Sequence, residues 1–148
     1  MIITYEQADG TTETVSTSDL SAIESADIEG AMGGTAWREV EDRLRAQDPT
    51  AMRAVLWAVR KRTETGLTFD KFDVPGWRRR LKARLEREEI DDVLSNLLAE
   101  ALAASEDSAI DTMLPHLRKL AHDRADIDAA LEAVGKGHLV KDPQDSAA

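Results

Sequence analysis

Asp48–Pro75 reads DPTAMRAVLWAVRKRTETGLTFDKFDVP, a capped helix, a turn, an aromatic-bearing loop and a stop. Asp48 is placed to accept a backbone N–H at a helix start. Pro49 follows at the first helical position, where its missing N–H costs nothing. Met52, Val55, Leu56 and Val59 then recur on one helical face. Arg60, Lys61 and Arg62 fall in the last turns, where positive charge suits the helix dipole, and Gly66 is the expected C-terminal cap. Leu67, Phe69, Phe72 and Val74 bring apolar groups back toward that helix.

Upstream, Ile2–Tyr5 and Thr12–Val15 are strand formers on either side of the turn dipeptide Asp9-Gly10. An isolated hairpin is marginal in water, so this one is expected to pack on the helices or to pair with another copy. Thr17, Ser18 and Asp19 offer N-caps for a helix reaching about Met32, with Leu20, Ile23 and Ile28 apolar. Gly33-Gly34 ends it. Thr35 is placed to cap the next helix, in which Trp37, Val40 and Leu44 share a face. Three short helices with tight connections predict a small bundle.

Downstream of Gly76 the composition changes. Arg78, Arg79, Arg80, Lys82, Arg84 and Arg87 form a basic run mixed with Glu86, Glu88 and Glu89. Leu81 and Leu85 define one helical stripe. Ile90, Val93, Leu94, Leu97, Leu98 and Ala101 define a second, about half a revolution away at ~100° per residue. Either the helix breaks near Arg87–Ile90 or its two halves meet different partners, and with no Gly or Pro between them the second is the expectation. Ile110, Met113, Leu114, Leu117 and Leu120 form a further stripe, with Pro115 expected to kink it or to start a new helix. Ile127, Ala130, Leu131 and Val134 form a last short helix ended by Gly135. The predicted fold is mainly α: a small helical bundle with an N-terminal β-hairpin and a helical C-terminal extension. The expected divisions are 1–75, 76–135, and a loose tail over 136–148.

The chain carries 29 acidic against 19 basic residues, a net charge of −10, which favours solubility and disfavours a general nucleic-acid binder. It has no cysteine, hence no disulfide and no thiolate metal site. The start, MIITYEQADG, lacks the basic and apolar regions of a signal peptide, and no apolar run approaches the roughly 20 residues of a membrane span.

Motifs for chemistry are sparse. Gly30, Gly33 and Gly34 lack the Lys-Ser/Thr ending of a phosphate-binding loop and read as a helix cap. His116 and His122 are six apart and do not share a helical face for zinc, and His138 stands apart. No GxSxG, HExxH or calcium-loop pattern occurs, so no enzyme, metal or cofactor is expected. The basic run reads first as a solvated face with pairs such as Lys82–Glu86 and Arg84–Glu88. Its other reading is contact with nucleic acid or an acidic partner. Trp37 is expected in the core, Trp57 beside the Leu56 stripe, and Trp77 either in the core or as an exposed anchor.

One ordered set of segments resembles a known family: the ITY hairpin, WREVEDRL from Trp37 to Leu44, DPTAMRAVLWAVRKR from Asp48 to Arg62, and GLTFDKFDV from Gly66 to Val74. It is similar to the tail assembly chaperones of long-tailed bacteriophages of actinobacteria. The resemblance implies a non-enzymatic protein of the host cytoplasm. It would bind the long helical tape measure protein, help recruit tail tube protein, and form a possible homo-oligomer. Many members are made in short and frameshifted longer forms, and this chain would match the short one. Helix-in-groove binding puts Leu56, Trp57, Val59, Phe69, Phe72 and Trp77 forward as partner-binding residues, each either core or groove. After the F-D-V segment family members often trail off into acidic tails. This chain continues in Leu/Ala-rich helices from Trp77 to Val134. The alternative function is a structural virion component, such as a head–tail connector or tail subunit. A DNA-binding regulator using Arg78–Arg87 is a third reading.

Overall fold

A computed structural model of the chain describes residues 1–105 and 108–140, with side chains as far as Gly135. The fold is mainly helical, with a small antiparallel sheet at the N-terminus and helices at the C-terminus. Contacts group it into two units, Met1–Arg84 and Leu85–Ala148.

In the first unit, β1 (Ile2–Glu6) and β2 (Thr12–Ser16) form the expected hairpin. Gly10 takes φ +86°, and the Asp9 carboxylate accepts from the Thr11 N–H and hydroxyl at 2.9 and 2.6 Å. A third strand, β3 (Leu81–Arg84), pairs antiparallel with the other side of β1, giving the order β2-β1-β3. Ile3, Tyr5, Val15, Leu81 and Ala83 form the buried face of this sheet.

That third strand corrects two expectations. Residues 78–87 are not part of one helix: α4 (Trp77–Arg80) is a single turn, followed directly by β3. A Leu81–Leu85 spacing of four satisfies both the helical period and twice the strand period, so periodicity alone could not separate them. The helical pairs Lys82–Glu86 and Arg84–Glu88 lose their geometric basis, because Lys82 and Arg84 lie in a strand opposite Thr4 and Ile2. The unit boundary likewise falls after Arg84 rather than at 75, since β3 belongs to the N-terminal sheet.

The helices of this unit are α1 (Ala22–Ala31), α2 (Trp37–Arg45) and α3 (Pro49–Arg60). The cap of α1 is Ser21, not Thr17–Asp19, which form one 3-10 turn. Ser21 and Glu24 make a reciprocal capping box that satisfies two orphan donors together. Ile28 is buried, whereas Ile23 is 76% exposed and takes no part in the core. Gly33 and Gly34 end α1 at φ +74° and +84°. The Thr35 hydroxyl donates back to Met32 O, so it does not cap α2. The Glu29 carboxylate serves instead, accepting from the Trp37 N–H at 2.6 Å. Val40 and Leu44 are buried, and Trp37 is half-buried, its indole N–H donating to Glu41.

Helix α3 begins as expected, with Asp48 accepting from the Thr50 N–H and Pro49 at the first helical position. It ends earlier, at Lys61 rather than Gly66. Its burial also exceeds a single stripe: Ala51, Met52, Ala54, Val55, Leu56, Trp57 and Ala58 are all buried. It touches α1, α2 and all three strands. Three alanines allow close approach on the faces that Leu56 and Met52 do not fill, so this helix is enclosed nearly all round.

The second unit packs α5 (Arg87–Ala104), α6 (Ser108–Leu120) and α7 (Arg124–Val140) pairwise. Its core is Leu85, Ile90, Leu94, Ala101, Leu117, Ala121, Ile127 and Ala130. Leu85 exchanges backbone hydrogen bonds with Leu120 O and the His122 N–H, a short parallel bridge. Pro115 lies inside α6 and starts no new helix. Helix α7 passes through Gly135 to Val140, so residues 136–140 of the expected tail are helical, while 141–148 lie outside the described residues. No helix among the described residues is long and apolar enough to cross a membrane.

Candidate functional site

The loop after α3 folds back over it and is tied down by cations and aromatic rings. Arg53 stands alone among apolar neighbours on α3, and its Nη1 donates to Phe69 O at 2.8 Å and Phe72 O at 2.7 Å. The same guanidinium lies 3.8 Å from the Phe69 ring centroid. The Trp57 indole N–H donates to Leu67 O at 3.0 Å, and its ring meets Phe69 edge-on at 5.5 Å. Tyr5 anchors the far end of the loop by donating to Pro75 O.

The two basic clusters of this unit behave differently. Arg60, Lys61 and Arg62 each meet a carboxylate: Glu13 at 2.7 Å, Asp27 at 2.8 Å and Glu24 at 2.6 Å. Their charge is spent in tying α3 to β2 and α1. By contrast, among the described residues Arg78, Arg79, Arg80 and Lys82 make no ion pair. Arg78 lies 5.4 Å from the Trp77 ring centroid instead.

The Arg62 hydrogen bonds hold the Glu24 carboxyl down to about 2, from an ordinary 4.5, assisted by the Ser21 N–H of the capping box. A carboxyl depressed in the folded state adds stability above its unfolded pKa and loses it as pH falls through the folded value. The contribution is therefore complete above pH 4.5 and lost toward about 2. Arg62 is half exposed, so solvent screening limits it to about 1 kcal/mol. Glu24→Gln is expected to cost that amount at neutral pH and to flatten the acid limb of stability, read by urea unfolding across that range.

The six residues expected to bind a partner separate into three groups. Leu56, Trp57 and Phe72 are buried and hold the unit together, so they offer no surface. Val59 and Phe69 are half-buried. Only Trp77, 38% exposed, presents a large apolar ring to solvent. It sits after Gly76 at φ +70°, and this left-handed turn redirects the chain out of the Val74-Pro75 segment.

Trp77 lines a recess of about 190 Å³ with Pro49, Thr50, Arg53, Asp73, Val74 and Leu81. Val74 and Leu81 are buried. This volume is below the roughly 300 Å³ at which small-molecule pockets begin. Sequence reading missed Pro49, Thr50, Arg53, Asp73, Val74 and Leu81 as lining residues. The legible signal was Arg53, a cation in the middle of an apolar helix.

Among the described residues no three His, Asp or Glu side chains gather as a metal site. His116 and His122 are exposed in the second unit, and the His138 side chain lies outside the described part. Comparison with protein-family models, curated proteins and solved structures gives no match.

Proposed function

We propose that the chain is a non-catalytic tail assembly chaperone of long-tailed bacteriophages. In this reading it works in the host cytoplasm, binds the tape measure protein and helps recruit tail tube subunits. It rests on the ordered resemblance from the ITY hairpin to GLTFDKFDV. The structural observation that supports it is Trp77, 38% exposed at a side-chain-sized recess, followed in the chain by Arg78, Arg79, Arg80 and Lys82, which make no ion pair among the described residues. An apolar residue of a partner helix would fill the recess while neighbouring carboxylates meet the cations. Exposed Trp and Arg are the residue types that most often carry binding energy.

The test is co-expression with the tape measure protein, followed by co-purification, a solubility assay and mass spectrometry of mature virions. The chaperone reading expects a soluble complex and no chain in virions. Presence in virions without a complex replaces it with a structural virion component. Trp77→Ala is expected to weaken the complex by roughly tenfold or more. The unfolding midpoint should fall less than it does for a fully enclosed side chain, because 38% of the residue is exposed. Retention of DNA rather than protein would shift the assignment to a nucleic-acid surface, which the charge of −10 opposes.

A further inference from the structure

The two edges of the three-stranded sheet are treated differently. On the β3 edge, Ala83 is bracketed by the Gln47 carboxamide: Nε2 donates to Ala83 O at 2.9 Å, and Oε1 accepts from the Ala83 N–H at 3.1 Å. Gln47 holds φ +60°, unusual for a residue with a Cβ, while doing so. The Leu81 N–H is taken by Trp77 O. This edge is closed.

The β2 edge is open. Gln7 N–H donates to Thr11 O and Thr17 N–H to Met1 O, at the two ends of the β1–β2 register. Alternation then places Ile3·Val15 and Tyr5·Glu13 as the hydrogen-bonded pairs between them. The Thr12 and Thr14 backbone groups must therefore point away from β1. Both residues are exposed, and neither has a partner for those groups. Natural edges are usually guarded by lysine, proline or an inward charge. The strand TETVS has no lysine or proline, and its one inward charge, Glu13, is neutralised by Arg60 at 2.7 Å.

We propose that this edge pairs with the β2 edge of a second copy of the chain, antiparallel about a two-fold axis at Thr14, to make one six-stranded sheet. The strand's own sequence selects that occupant. Centred on Thr14, Thr14 faces Thr14, Thr12 faces Ser16 and Glu13 faces Val15, so no carboxylate opposes another. Centring on Glu13 would set two carboxylates opposite each other, which is unfavourable. In the chosen register the outward N–H and C=O of the two Thr14 residues bond reciprocally, and cross-strand threonine pairs are favourable. The pairing is independent of the phage reading.

The experiment is sedimentation equilibrium on the full chain across a concentration series, with two variants. Wild type is expected to reach the mass of two chains. Thr14→Lys puts like charges face to face only in the dimer and is expected to sediment as one chain with an unchanged far-ultraviolet circular dichroism spectrum, its melting temperature lower only by the share that association gives the wild type. Thr14→Cys, the only thiol in a cysteine-free chain, is expected to be joined into a covalent dimer by a short bismaleimide, which spans the ~5.5 Å between facing residues of a hydrogen-bonded pair. A wild-type chain that stays monomeric to high micromolar concentration overturns the proposal. So does a dimer that Thr14→Lys leaves intact, or a Thr14→Cys dimer that fails to cross-link.

Discussion

Arg53→Ala is expected to destabilise the first unit by about 3 kcal/mol. One guanidinium serves two loop carbonyls, Phe69 O and Phe72 O, at 2.8 and 2.7 Å. Charge-assisted bonds of this kind contribute about 1.5–3 kcal/mol each, and the stacking on Phe69 adds about 0.5–1 kcal/mol. Arg53 is only half-buried, so water recovers part of the loss, which holds the total slightly below the lower sum of about 3.5 kcal/mol. Arg53→Lys is expected to rescue only part, because both carbonyls are served by the single Nη1 but an ammonium on a shorter stem stacks poorly on Phe69. All three tryptophans, Trp37, Trp57 and Trp77, lie in the first unit, so their fluorescence in urea follows its unfolding without a contribution from the second. A midpoint unchanged in Arg53→Ala would show that the loop holds to α3 through Trp57 and Phe72 alone.

Leu56→Ala is expected to cost about 3 kcal/mol, within the range for emptying a fully enclosed leucine site. Leu56 is 0% exposed on a helix touched by α1, α2 and the sheet, so little can collapse into the space. Leu56→Met conserves volume and is expected to cost under about 1.5 kcal/mol. The comparison with Trp77→Ala separates two kinds of lost binding. Leu56→Ala should weaken a complex only as far as it lowers the unfolding midpoint, whereas Trp77→Ala should weaken it by more than its smaller shift of the midpoint accounts for. Equal loss of binding from a fully folded Leu56→Ala would mean that α3 itself opens to receive the partner.

These residues also show where sequence reading reached and where it stopped. The mainly helical fold, the hairpin at Asp9-Gly10, the Asp48-Pro49 start of α3 and the Gly33-Gly34 end of α1 were all readable. Each is a local rule, in which a side chain or a backbone angle acts on groups within a few residues. The long stripes of α5 and α6 were readable for the same reason. Caps with several local candidates were misplaced: Thr17–Asp19 gave way to Ser21, and Thr35 gave way to Glu29, whose carboxylate reaches Trp37 from the preceding helix. In the candidate site, aromatic content was legible but accessibility was not. Trp57 and Trp77 are equally apolar, and only one is covered by a returning loop.

By itself, then, the sequence determined the helical class, the N-terminal hairpin, the acidic balance and the punctuation of the central helix, because these depend on neighbours along the chain. Tertiary structure alone decided that Leu81–Arg84 is a strand of the N-terminal sheet, that Gln47 closes its edge, and that Arg53 spans two carbonyls. It also decided that Trp77 is the aromatic residue left facing solvent. A spacing of four fits helix and strand alike, and the choice between them was made by β1, whose free side gave Lys82 and Arg84 backbone partners some eighty residues away in the chain.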